Sequence, residues 1–128
     1  MKVEEYATVY QLVSVIAGTL APLTSGLPVL AASLPPGSMT GAPKKRSCSL
    51  LTEIEPQQPR GLYSGVLGYL DVGGGGDFSV VIRTAFQYAD ESVWRVGAGG
   101  AVTVLSEAEG EWEEMLAKRD GILQVFWH

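Results

Sequence analysis

Along this chain the spacing of hydrophobic positions changes several times, and each change predicts an element. Thr8 to Ile16, TVYQLVSVI, is dense in β-branched and aromatic residues, with Gln11 and Val13 directed to one side and Leu12 and Ser14 to the other. That pattern predicts a strand buried on both faces. The next segment, GTLAPLTSGLPVLAASLPPG, places proline and glycine clusters around a short apolar piece, Val29 to Leu34, which suits one or two helical turns. Further on, Thr40 and Gly41 offer a helix boundary, Pro43 fits a first turn, and Cys48, Leu51 and Ile54 form a stripe with Leu50 beside it. A helix stopping before Pro56 is expected, followed by a turn at PQQPRG. SGVLGYLDV, FSVVIRTAFQY and SVWRVGAGGAVTV then read as three strands of an antiparallel meander, separated by GGGGD and by Ala89-Asp90-Glu91. From Glu107 to Phe126 a helix is predicted, because Trp112, Met115, Leu116, Ile122, Leu123 and Phe126 recur at helical spacings. Gly121 weakens it without ending it. The order places the chain in the α+β class, an antiparallel β-sheet with packed helices.

Length and composition narrow the choices. The 128 residues suit one domain, 1–128, and the net charge of -5 opposes a nucleic-acid surface, since Lys44, Lys45 and Arg46 are the only basic cluster. A single cysteine, Cys48, excludes an internal disulfide and a thiolate metal site, which suits a reducing, cytoplasmic setting. No charge occurs between Glu5 and Lys44, but Gly18, Pro22, Gly26 and Pro28 interrupt that run, so a membrane span is not expected. Glu4 and Glu5 stand where a secretory signal needs positive charge.

The stretch GSMTGAPKKRSC, Gly37 to Cys48, is the first candidate for chemistry. It is not a phosphate-binding P-loop, because Gly37 and Gly41 are four apart and Ala-Pro-Lys follows. Basic residues in a helix's first turn oppose its macrodipole, so the segment is either a loop with a solvated basic turn or a site for an anionic partner. Arg83, inside apolar VVIRTAF, calls for either a salt bridge across the sheet or an anionic ligand. GAGG, Gly97 to Gly100, marks a bulge or a close backbone approach to a ligand. Tyr63 reads as a packed aromatic. The acids from Glu107 to Glu114 suit a helix N-terminus, yet Glu111, Glu114 and Lys118 also share one face, where two carboxylates could hold magnesium. His128 is terminal and lone, and catalysis is not expected of it.

Taken in order, TVYQLVS, PPGSMTGAPKKR, EIEPQQPRGLYSGVLGYL, FSVVIRT, GAG and EWEEMLAK resemble the C-terminal part of the chorismate-utilising enzymes. That family comprises anthranilate synthase component I, aminodeoxychorismate synthase and the isochorismate and salicylate synthases. The resemblance covers nearly the whole chain and implies the C-terminal portion of the chorismate-binding fold. It implies that Ser38, Met39, Thr40 and Gly41 line the substrate pocket, that Tyr63 and Arg83 face it, and that Gly97, Ala98 and Gly99 approach a carboxylate through the backbone. Glu111 and Glu114 match the family's magnesium-binding glutamates, Lys118 falls in the neighbouring motif position, and Gln11 stands where many relatives have histidine. The implied cofactor is Mg2+ and the implied substrate chorismate, with ammonia from a glutamine amidotransferase domain or subunit.

Ser-Met-Thr-Gly resembles the aminodeoxychorismate branch, typically Ser-Ile-Thr-Gly, more than the anthranilate branch. Members of the family carry a longer chorismate-binding region, whose upstream part supplies further metal-binding glutamates and, in the aminodeoxychorismate branch, a lysine in Pro-Ile-Lys-Gly-Thr. Neither is present here, so little turnover is expected of this chain alone. The alternatives are an anthranilate synthase fragment and a truncated non-enzymatic relative that binds an anion or a partner chain, including the missing part of the same domain.

Overall fold

A computed structural model describes residues 1–55 and 59–127. Among the described residues, six short strands, four α-helices and a terminal 3-10 turn follow one another in an α+β arrangement. The strands form three separate antiparallel pairs. β1 (Lys2–Glu5) pairs with β2 (Tyr10–Val13), with Lys2 opposite Val13 and Glu5 opposite Tyr10. The strand read at Thr8 to Ile16 is therefore shorter than expected, and it is not buried on both faces. Tyr10 and Leu12 are 73% and 64% exposed, because pairing in the plane of a sheet covers backbone, not side chains, and among the described residues no second layer covers these side chains.

α1 (Gly26–Ser33) covers the apolar piece read at Val29 to Leu34 except for Leu34, which is extended, and starts three residues earlier, with Pro28 in its first turn where no backbone donor is needed. The GSMT stretch is itself one helical turn, α2 (Gly37–Thr40), closed by Gly41 at φ 89, a conformation open to glycine. α3 (Lys44–Ile54) begins after Pro43 and ends before Pro56, as its stripe requires. The turn read at PQQPRG falls partly on residues 56–58, and His128 likewise lies outside the described residues.

β3 (Val66–Leu70) and β4 (Gly76–Val80) form a hairpin in which Gly68 faces Phe78 and Leu70 faces Gly76. The GGGG tract makes its turn: Gly74 N–H donates to the Asp71 carbonyl at 3.1 Å and Asp71 N–H to the Gly75 carbonyl at 2.8 Å. FSVVIRTAFQY is not one strand. The chain folds sharply at Ile82, whose N–H reaches back to the Val80 carbonyl, and Arg83 takes a φ of 52 that a strand cannot continue through. The meander is thereby divided, and the short β5 (Ala85–Phe86) pairs with β6 (Arg95–Val96) on its own. Thr103 to Ser106 forms a turn instead of the end of a third strand. α4 (Ala108–Leu123) continues into the 3-10 turn Gln124–Phe126, matching the predicted last helix. Its apolar stripe is only partly covered, with Ile122 buried, Trp112 57% exposed and Phe126 against Trp94 at 5.4 Å between ring centres.

Val81 and Ile122 are the buried hydrophobic residues among those described. The accessible surface, 10677 Å², is well above the roughly 6,600 Å² expected of a compact monomer of 13.6 kDa. Among the described residues no helix is long and apolar enough to cross a membrane.

Candidate functional site

The sharp fold at Ile82 decides where the site forms. By leaving the strand there, the chain turns Arg83 out of the sheet to an exposed position, so the expected charge inside an apolar strand is not found. No ion pair joins Arg83 to another described residue, and the cross-sheet salt bridge considered for it does not form. Arg83 lines a cavity of about 350 Å³ together with Ser38 and Met39 of α2, Tyr63, Ala98, Gly99 and Lys118 of α4. Seven residues singled out in the sequence thus meet around one space, drawn from five separate segments.

Tyr63 forms the partition of this site. A Cβ placed on Gly97 would lie 2.1 Å from Tyr63 Cγ, and one on Gly99 would lie 3.0 Å from the Tyr63 hydroxyl. The room a side chain would need at Gly97 and Gly99 is taken by the Tyr63 ring and hydroxyl, a close approach of the protein's own atoms to the backbone and not of a ligand. Beyond Tyr63 is a second cavity of about 730 Å³, lined by Gly97 and Ala98 and by Phe86, Tyr88, Trp94 and Arg95. Arg95 is held there by Glu91 Oε2 at 2.7 Å, so its charge is matched.

On α4, Lys118 Nζ donates to the Gly99 carbonyl at 3.2 Å and meets Glu114 Oε1 at 2.6 Å. The shared face predicted for Glu114 and Lys118 is real, and the lysine ties the helix to the cavity wall. Glu111 accepts from Ser106 Oγ at 2.6 Å through Oε1. Its Oε2 is buried with no hydrogen-bond partner among the described residues and lies behind Gly100, where a Cβ would come within 2.7 Å of it. A buried carboxylate oxygen without a donor is costly, and a cation relieves that cost. Among the described residues no three His, Cys, Asp or Glu side chains cluster, so Glu111 and Glu114 would hold a metal only with oxygens from elsewhere.

Six sequence candidates are not among the residues lining the smaller cavity: Gln11, Thr40, Gly41, Gly97, Glu111 and Glu114. Thr40 donates to the Pro36 carbonyl at 3.3 Å, Gly41 closes α2, and Gln11 lies on the exposed β2 hairpin, where its amide reaches only the Leu12 carbonyl. Gly100 of the GAGG stretch also lines the cavity, and Arg60, Glu55, Ile82 and Ala101 do so without having been singled out. Arg60 and Glu55 pair with each other, which lowers the Glu55 pKa and raises that of Arg60, the hydrogen bond between them being the main cause in both. An acid and an arginine flanking one proline-containing stretch were the available signal.

The chain matches the chorismate binding enzyme family over residues 1–124. This chain belongs to that family. A Schizosaccharomyces pombe protein, provisionally named an aminodeoxychorismate synthase, is 53% identical over 97% of the chain and 17% of its own length. The Saccharomyces cerevisiae aminodeoxychorismate synthase is 49% identical over 98% of the chain and 18% of its own length. An anthranilate synthase component 1 from Arthrobacter globiformis is 40% identical over 92% of the chain and 22% of its own length. The chain spans less than a quarter of each of these relatives. No solved structure matches it.

Proposed function

We propose that this chain forms the C-terminal, chorismate-binding face of an aminodeoxychorismate synthase. The reaction is the amination of chorismate at C4, with ammonia derived from glutamine, giving 4-amino-4-deoxychorismate for p-aminobenzoate and folate synthesis. The observation that carries this reading is the 350 Å³ cavity, which Arg83, without an ion-pair partner among the described residues, lines together with Tyr63, Ala98 and Gly99. An unmatched guanidinium beside backbone groups and hydroxyls suits a dicarboxylate of chorismate's size. Greater identity to the two aminodeoxychorismate synthases than to the anthranilate synthase supports amination at C4 over C2 and favours the synthase over a non-enzymatic relative.

In this reading Arg83 receives a substrate carboxylate, Ser38 and Met39 border the ring, and Tyr63 closes the far side. Lys118 keeps Glu114 in place while bound to the Gly99 carbonyl. Glu111 and Glu114 are the two carboxylates that would hold Mg2+, and the partnerless Oε2 of Glu111 suits that role. When bound, the ion would neutralise a substrate carboxylate and polarise the bond to the departing hydroxyl. The excess accessible surface supports further protein packed over the exposed β1–β2 hairpin, such as the upstream part of the same domain, with a glutamine amidotransferase as the ammonia source. The lone Cys48 supports a cytoplasmic setting.

Calorimetric titration of chorismate, with and without Mg2+, tests the reading. The expected outcome is magnesium-dependent binding that Arg83→Ala weakens by roughly tenfold or more, the loss of a charge-assisted hydrogen bond. An affinity unchanged by Arg83→Ala would overturn the carboxylate assignment. Glu114→Gln in the full-length synthase is expected to abolish amination with the fold intact, and undiminished turnover would remove this glutamate from the metal site.

A further inference from the structure

Two arginines border the smaller cavity, and they differ in what they hold. Arg83 has no partner among the described residues, whereas Arg60 uses its guanidinium on three segments at once. Its Nε donates to Glu55 Oε2 at 3.0 Å and its Nη2 to Glu55 Oε1. Its Nη1 reaches the Met39 carbonyl at 3.3 Å and Ser64 Oγ at 3.2 Å. One planar head therefore joins the end of α3, the α2 turn carrying Ser38 and Met39, and the turn carrying Tyr63. Only arginine has this reach, since a lysine ammonium is a point charge that cannot present parallel donors to a carboxylate and keep another aimed at a carbonyl.

We propose that Arg60 is a positioning residue, with Glu55 as its counter-charge, that fixes the Ser38–Met39 turn against the Tyr63 turn and so sets the width of the cavity. The proposal rests on the same cavity as the chorismate reading, but its geometry requires no ligand. Because Glu55 matches its charge bidentately, Arg60 is not a receiver of substrate carboxylate, and that role is left to Arg83. The pair is also partly open to water, with side-chain exposures of 28% for Arg60 and 40% for Glu55, so its contribution to overall stability is small. A clamp of this kind acts on local placement more than on the unfolding midpoint.

Hydrogen exchange of individual amides in the 128-residue chain separates the two effects. The reporters are Met39 N–H, bonded to the Pro36 carbonyl, and Gly41 N–H, bonded to the Gly37 carbonyl. Glu111 N–H on α4 and Asp71 N–H at the β3–β4 turn are the references. In Arg60→Lys, exchange at Met39 and Gly41 is expected to quicken about tenfold, as for the loss of one hydrogen bond, with both references unchanged. Glu55→Gln, which removes the counter-charge but keeps an acceptor, is expected to give a smaller rise at the same two amides. Unchanged exchange at Met39 and Gly41 in Arg60→Lys would overturn the proposal, and so would an equal rise at all four amides, the mark of general destabilisation. Chorismate affinity measured in the same variant keeps the two readings apart. Local quickening without any chorismate binding sinks the substrate assignment and leaves the clamp standing, whereas intact exchange with weakened binding sinks the clamp alone.

Discussion

The β1–β2 and β3–β4 hairpins use the same antiparallel pairing, yet they differ in what surrounds them. In β1–β2, Val3, Tyr10 and Leu12 are 59%, 73% and 64% exposed, and the ladder bonds are the main ties described for the hairpin. In β3–β4 the backbone of Gly68 lies so close to its neighbour that a Cβ would come within 2.0 Å of the Asp77 carbonyl oxygen, and the ladder runs on to buried Val81. The difference teaches that alternation and register specify which strands pair, whereas burial requires a second layer. Just past β4 the chain reaches buried Val81, and the candidate site forms beside it at Ile82 and Arg83.

The strongest way to break this contrast is Gly68→Ala. The nearest atom in the way is the backbone oxygen of Asp77, with the Phe78 backbone and ring beside it, so the strands must part, and a loss of about 3 kcal/mol is expected in urea unfolding, as for severe overpacking. Val81→Ala removes packing from the same region and is expected to cost about 1.5 kcal/mol by the same assay. Gly121→Ala sharpens the comparison in the opposite direction: nothing lies within 4 Å of its added methyl, and α4 should gain about 0.8 kcal/mol from helix propensity. Leu12→Ala, in the exposed hairpin, should change stability by less than about 0.5 kcal/mol, and a larger loss would show that β1–β2 is covered after all.

The smallest effect concerns acid. Because the bond from Arg60 lowers the Glu55 pKa, their pair contributes stability above the ordinary glutamate value and loses it as pH falls through the lowered one. Comparing the pH dependence of unfolding in the unsubstituted chain and in Glu55→Gln should show this small difference vanish at the acid end. A difference that persists there would mean that Glu55 does not titrate as Arg60's partner.

Much of the site could be read before the fold was known. The wording of GSMTGAPK, RGLYSG, FSVVIRT, GAG and EWEEMLAK marked Ser38, Met39, Tyr63, Ala98, Gly99 and Lys118 from the family resemblance, and all six line one cavity with Arg83. Arg60 escaped notice because its importance depends on a carbonyl 21 residues away and on a carboxylate across a turn, neither of which has a periodic signature. Gln11 stood out in the pattern but sits on a hairpin that does not line the cavity.

Local order determined what the sequence could disclose alone. Helical spacing located α3 and α4, the glycine tract located the β3–β4 turn, and the charge pattern placed Glu114 and Lys118 on one face, because each depends on neighbours within a few residues. Tertiary structure alone decided the kink at Ile82 and Arg83, the division of the meander into separate pairs, the Tyr63 ring on the Gly97 backbone and the clamp at Arg60. Those features arise where segments far apart in the chain compete for the same space, and their outcome is set by steric fit and by which donors find acceptors, not by the periodicity of any one segment.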